Sequence, residues 1–296
     1  MRGLREFVAG QVSRAQVELA GLFLLHEEEA REEVVPRLAL HELQDDPTNN
    51  TRGWNFLRDP RTRKALPTHG DRWLLDRVLG ADWLREEFLE YLQQVDGFLQ
   101  RLLLLVHITS GQPARATELL GLRHRNTLQG RHQNIFIEHG LVSTVTTYHK
   151  GYSISNTTKI IHRYLPKAVS ELVVYYLWLI LPFREALERL ARGHHGPASA
   201  FLWPAAAGGG DQGGSWPSER LRKVLQQEAQ AHLQTKLNIL TQKGWCRIPI
   251  LELGFARDWH LIGHSQLHFA YPGPGMAVYP ALTSPRWIVL KPGTAA

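Results

Sequence analysis

Apolar residues recur at three- and four-residue steps from the start of the chain: Leu4, Phe7 and Val8, then Val12, Val17, Leu19, Leu22 and Leu25. This spacing predicts helix over about the first 48 residues, with Glu27 to Glu33 as an acidic, solvated face. Asp45-Asp46-Pro47-Thr48-Asn49-Asn50 breaks the pattern with turn-forming residues. Arg58 to Lys64 reads as a basic loop. Helical spacing returns over Asp71 to Leu105, where Trp73, Leu74, Val78, Leu79, Trp83 and Leu84 form an apolar stripe. Leu102 to Val106 is apolar on every side, so this stretch is predicted to be buried.

The period changes between residues 134 and 165. Ile135 and Ile137, then Leu141, Val142 and Val145, alternate with polar and threonine positions, a strand pattern. His139-Gly140 is a tight turn, the polar stretch His149 to Thr158 a second turn, and Lys159 to Leu165 a third strand. Helix follows over Ser170 to Arg192. Its apolar run Leu172 to Phe183 covers only 12 residues, too short to span a bilayer. Gly193 to Pro217 is a loop rich in Gly, Ala and Pro, and Phe201-Leu202-Trp203 is expected to dock from it as an apolar knot. Ser218 opens a last helix, to Leu240, and the pattern dissolves from Gly244 onward. The expected fold is mainly α with a small antiparallel three-stranded sheet. The expected divisions are a helical region 1–80, a core 81–243 and an irregular tail 244–296.

Composition narrows the function. Hydrophobic residues make 43% of the 296, enough for a real core, and charged residues make 21%, which argues against wholesale disorder. The single cysteine, Cys246, excludes an intramolecular disulfide framework and a cysteine-based zinc finger, and suits a reducing compartment. No signal peptide is read at the N-terminus. The net charge is +6, and its location matters more than its size. Eight basic residues lie between Ser110 and Ala168 (Arg115, Arg123, Arg125, Arg131, Lys150, Lys159, Arg163 and Lys167) against two acids, Glu118 and Glu138. The difference of six equals the whole excess, so the remainder of the chain is neutral. A localised basic block predicts either a polyanion partner or a plain solvated face.

Within that block, Thr109-Ser-Gly-Gln-Pro-Ala-Arg115-Ala-Thr-Glu118-Leu-Leu-Gly-Leu122 follows directly on a buried helix. An arginine at a helix start offers a fork of donors for a phosphate, and a glutamate three residues later can orient it. The stretch resembles the first signature of the tyrosine recombinases, the phage-integrase superfamily. The resemblance puts Arg115 at the first catalytic arginine and Glu118 at the acidic, orienting position. It also implies a three-stranded sheet after the arginine helix, with a lysine at its second turn acting as general acid for the leaving 5′ hydroxyl. Lys150, in Tyr148-His-Lys-Gly-Tyr152, falls there, and Lys159 is the rival. Arg163-Tyr-Leu-Pro166 resembles the strand that ends in an apolar-Pro signature. Arg115 and Lys150 are then expected to address one phosphate. Arg115, Arg123, Arg125, Arg131, Lys150, Lys159 and Arg163 are the expected DNA-contacting set.

The third signature is partial. Leu261-Ile-Gly-His264-Ser265 resembles the Leu-Gly-His-Ser element, whose histidine contacts the scissile phosphate. The nucleophilic tyrosine should follow nine residues later, where Gly273 stands; Tyr271 and Tyr279 are the nearest hydroxyls. A His-x-x-Arg box should precede His264, and Asn238 to Lys243 occupies its place. A closer resemblance, over about Trp54 to Leu240, is to a region of large fungal proteins upstream of a telomere-linked, RecQ-like helicase domain. It stops near Leu240, beyond which the sequence reads as another frame or a fusion to unrelated coding sequence. No P-loop is present, and Gly208 to Gly214 lacks the lysine and strand one needs. His260, His264 and His268 share a helical spacing, but Gly263 and the missing carboxylate argue against zinc; no Gly-x-Ser-x-Gly supports a hydrolase. The expectation is a nuclear, DNA-binding, recombinase-like protein on duplex phosphates, with little or no strand cleavage, no metal and no cofactor. Its residual catalytic set would be Arg115, Lys150, His264 and Tyr271. The alternative is a protein-interaction module derived from a helicase-bearing protein.

Overall fold

A computed structural model describes residues 2–25, 29–78, 85–111, 114–127, 132–148, 159–192, 198–205, 214–233 and 269–270. The order begins with α1 (Arg2–Gly21), α2 (Arg31–Val34), α3 (Pro60–Ala65), α4 (Gly70–Val78), α5 (Arg85–Thr109) and α6 (Ala116–Leu120). Strands β1 (Ile135–Glu138), β2 (Leu141–Tyr148) and β3 (Lys159–Tyr164) follow. Then come α7 (Lys167–Tyr175), a π turn (Tyr176–Ile180), α8 (Leu181–Arg192), α9 (Ser218–Leu233) and a two-residue strand β4 (Phe269–Ala270). Among the described residues the fold is therefore mainly helical with a small antiparallel sheet, as the periodicity predicts.

The N-terminal helix is shorter than its apolar spacing predicts. It ends at Gly21, and Leu24 takes a positive φ of 53°, which turns the chain out of the helix. Between α2 and α3 the only helical pieces are single 3₁₀ turns, Leu40–Glu42 and Phe56–Arg58. Val35, Leu40 and Leu43 are nevertheless buried, because tertiary packing and not helix geometry gathers them. One contiguous apolar cluster runs from Val12 on α1 through Phe98, Leu102 and Leu105 on α5 to Trp203 and Leu221, so the core continues across residue 80. Residues 102–106 are all buried, as their unbroken apolar run predicts.

The sheet has the order β1-β2-β3-β4, all neighbours antiparallel. The first turn is His139-Gly140, with φ of 52° and 73°; two consecutive left-handed residues make the kind of turn whose twist matches its strands. Registers run from Ile135 opposite Thr144 and from Ser143 opposite Tyr164 to Tyr148 opposite Lys159. α7 packs on β2, where Ser170 accepts from the Val142 N–H (3.0 Å) and donates to the Leu165 carbonyl (3.1 Å). Phe201-Leu202-Trp203 docks as predicted: Trp203 is fully buried and donates its indole N–H to the Leu99 carbonyl at 3.1 Å.

Pro182 near the start of α8 has no N–H to give, and its ring would crowd the carbonyl of Trp178 in a regular helix. The π turn immediately before it widens the helix, and Leu181 N–H reaches back five residues to Tyr176. Gly70, the first residue of α4, lies so close to that Trp178 carbonyl that a Cβ added there would stand 2.0 Å from the oxygen.

Candidate nucleic-acid interface

The site begins where α5 ends. Thr109 and Ser110 are buried, the Thr109 hydroxyl donates to the Leu105 carbonyl at 2.7 Å, and Gly111 turns the chain with a φ of 86°. Arg115 then stands at the N-cap of α6 in extended conformation. Its backbone N–H donates to Glu118 Oε2 (3.1 Å), and its Nε lies 3.8 Å from Glu118 Oε1. This is half of a capping box; the arginine side chain has no acceptor with which to complete the other half. The Arg115 side chain is 55% exposed and that of Glu118 only 14%. A carboxylate thus stands beside an outward guanidinium. α6 has only five residues, too few for a helix dipole to add much to the charge of the guanidinium.

Arg163 departs from expectation. It was expected on the DNA-contacting face, yet it is only 5% exposed, with its guanidinium on the Thr146 hydroxyl. Burial lowers its pKa, and the nearby Glu118 carboxylate opposes that shift. Glu118 therefore lies in the field of two arginines, one outside and one inside. Beneath them His107 on α5 is held neutral: burial, with Arg163 adding, pushes it down to about 4. The signal for Arg163 was present in β3, because Ile161, Arg163 and Leu165 share a face by alternation and the first and last are apolar.

Arg123 and Arg125 likewise have internal roles. The Arg123 guanidinium stacks 4.6 Å from the Phe201 ring centroid. Arg125 pairs with Glu185 (3.3 Å) and donates to the carbonyls of Ala198 and Ser199. Backbone bonds run alongside, from Leu202 N–H to Leu122 O (2.9 Å) and from His124 N–H to Ala200 O (3.0 Å). These two arginines fasten the 198–205 segment to the chain between α6 and β1, a function that charge counting along a sequence does not reveal.

Lys167 is exposed at the start of α7. Arg131, Lys150, His264, Tyr271 and Tyr279 lie outside the described residues, as do the second turn of the sheet, His260 and His268. Lys159 is placed by its backbone at the start of β3, with its side chain outside the description. No helix among the described residues is long and apolar enough to cross a membrane. Compared with known proteins, the chain matches no family model, no curated protein and no solved structure.

Proposed function

We propose that this chain binds duplex DNA through a recombinase-like core, in a nuclear setting, and that it does so without cleaving the strand. The observation that carries the reading is the outward Arg115 guanidinium with Glu118 behind it, at the junction of a buried helix and an antiparallel sheet. In an intact recombinase-like mechanism a tyrosine attacks the phosphodiester, arginines stabilise the pentavalent phosphorus and a lysine protonates the leaving oxygen. Between Pro197 and His264 this sequence has no His-x-x-Arg box, and it has no tyrosine at the expected position, which is Gly273. Binding without turnover is the consequence.

The test is a gel-shift titration of the full chain on duplex DNA between about 50 and 300 mM salt, where phosphate contacts impose a steep loss of affinity. Arg115→Gln should weaken binding and flatten the salt dependence. A folded protein that fails to bind at the low end would turn the reading to its rival, a protein-interaction module. That second reading is favoured by one observation: Arg123, Arg125 and Arg163 spend their charge inside the protein, leaving fewer cations for phosphates.

A further inference from the structure

Residues 45–54 run between two fixed points without entering the core. None of them is buried, and none belongs to the apolar cluster. At one end the Gln44 N–H donates to the Thr62 hydroxyl (2.7 Å), which donates back to the Gln44 carbonyl (2.6 Å). At the other end Phe56 is fully buried.

Between these anchors the segment is held by polar contacts to the chain that leads into β1. The Asn126 carboxamide donates to the carbonyls of Asn49 (2.8 Å) and Thr51 (3.2 Å). Backbone bonds join Gly53 N–H to Asn126 O (2.9 Å) and Asn126 N–H to Trp54 O (3.0 Å). Asn126 Oδ1 in turn accepts the Gln133 N–H at 2.8 Å. A segment that buries no apolar side chain sits at the low-stability end of a fold, so it can open while the core stays closed.

Asp45 and Gln133 make the remaining contact. The Gln133 amide donates to Asp45 Oδ2 over a long 3.4 Å. Three buried atoms here have no hydrogen bond: Asp45 Oδ1, Gln133 Oε1 and Trp54 Nε1. Two of the three are acceptors, and a carboxylate can only accept. A neutral carboxyl repairs the count. Its O–H can donate to the Gln133 oxygen after a half-turn of that carboxamide, and its other oxygen is left for the indole N–H.

The surroundings favour that neutral form. Burial pushes the carboxyl up to about 7, against the donors of Trp54, Asp46, Gln133 and Ile137, which favour its charge. The neighbouring charges offer little compensation. Arg61 on α3 is committed to Asp59 (2.9 and 2.6 Å), and Asp46 is a second acid alongside. Glu138 on β1 is engaged with Tyr164 and His162, while Arg52 and His132 are exposed. No cation among the described residues forms a salt bridge with Asp45.

We propose that residues 45–54 form a pH-gated strap: the neutral Asp45 carboxyl latches it to Gln133, and ionisation of Asp45 releases it from the chain leading into β1, with Gln44 and Phe56 as pivots.

The experiment is amide hydrogen exchange of the full chain in D₂O, on wild type, Asp45→Asn and Asp46→Asn. Comparing proteins at one pH cancels the intrinsic pH dependence of exchange. Asp45→Asn keeps the shape and offers Gln133 an N–H donor, so it holds the latch closed at any pH. For the Gly53 and Asn126 amides, the ratio of wild-type to Asp45→Asn exchange rates should rise about tenfold or more from about pH 5 to about pH 8. Asp46→Asn should respond as the wild type does. In the wild type at about pH 8, amides of residues 102–106 should exchange slower than those of the strap by about tenfold or more. A flat ratio, or a response abolished by Asp46→Asn and kept by Asp45→Asn, would overturn the proposal. So would strap amides that exchange only in step with residues 102–106, since the whole fold would then be opening.

Discussion

The Glu118 carboxylate takes the Arg115 backbone N–H at 3.1 Å while lying 3.8 Å from the same residue's guanidinium Nε, so one acid fixes both ends of the arginine. Arg115→Ala should therefore reduce DNA affinity by about 5- to 20-fold and lower the salt slope by about one, as expected for one lost phosphate contact. Exposed pairs at i,i+3 contribute only about 0.2–0.5 kcal/mol, so the melting temperature should hardly move. An affinity unchanged by this substitution, in gel shifts at two salt concentrations, would remove Arg115 from the interface.

Arg163 should behave in the opposite way. Replacing it with Met takes the guanidinium donor from the buried Thr146 hydroxyl, and leaving a buried polar group without its partner costs about 1–3 kcal/mol. Urea unfolding should register that cost. Any loss of DNA binding should track the folded fraction.

Stability should carry an acid signature from Asp45. Burial outweighs the Gln133 amide (3.4 Å) and raises its pKa to about 7 from 3.8. The folded state then binds the proton more tightly than the unfolded chain, so this residue's contribution to stability is complete below about pH 4 and is lost as the pH rises to about 7. Asp45→Asn should be more stable than the wild type at pH 8, by roughly 2–4 kcal/mol, and should lose that advantage near pH 4. His107 and His124 act with the other sign. Their folded pKa values fall to about 4 and about 3, so the stability they support is present above 6.5 and is lost on acidification. Thermal melts of the variant and wild type across pH 4–8 separate the two contributions.

No covalent DNA adduct should form. In-line attack does not tolerate a nucleophile displaced by even about 1 Å, and Tyr271 is followed by Pro272 and Gly273. A missing second arginine removes several kcal/mol more of transition-state stabilisation. Nicked suicide duplexes should give no species that survives denaturation. A covalent band abolished by Tyr271→Phe would restore an enzyme.

Much of the fold was legible where local pattern and tertiary environment agree. The buried end of α5, the His139-Gly140 turn and the three strands are each set by residues adjacent in sequence. The end of α1 was not, because Leu40 and Leu43 keep a helical rhythm while packing from a chain that turns only briefly. Arg115 and Glu118 were readable as a pair because three residues along a helix start bring them together. The internal roles of Arg123 and Arg125 depend on a segment about 75 residues away. Charge counted along a chain carries no information about which side chains face inward.

The close approach of Gly70 to the Trp178 carbonyl has an evolutionary meaning. Pro182 denies that oxygen its usual helical donor, and the opening of α4 occupies the space beside it with a residue that has no side chain. Positions 70 and 182 are therefore bound to a shared fate. A larger residue at 70 has no room unless the helix beyond Trp178 rewinds, and rewinding is blocked while proline remains at 182. In any lineage descending from this chain, the two sites should be found to vary as a couple or not at all.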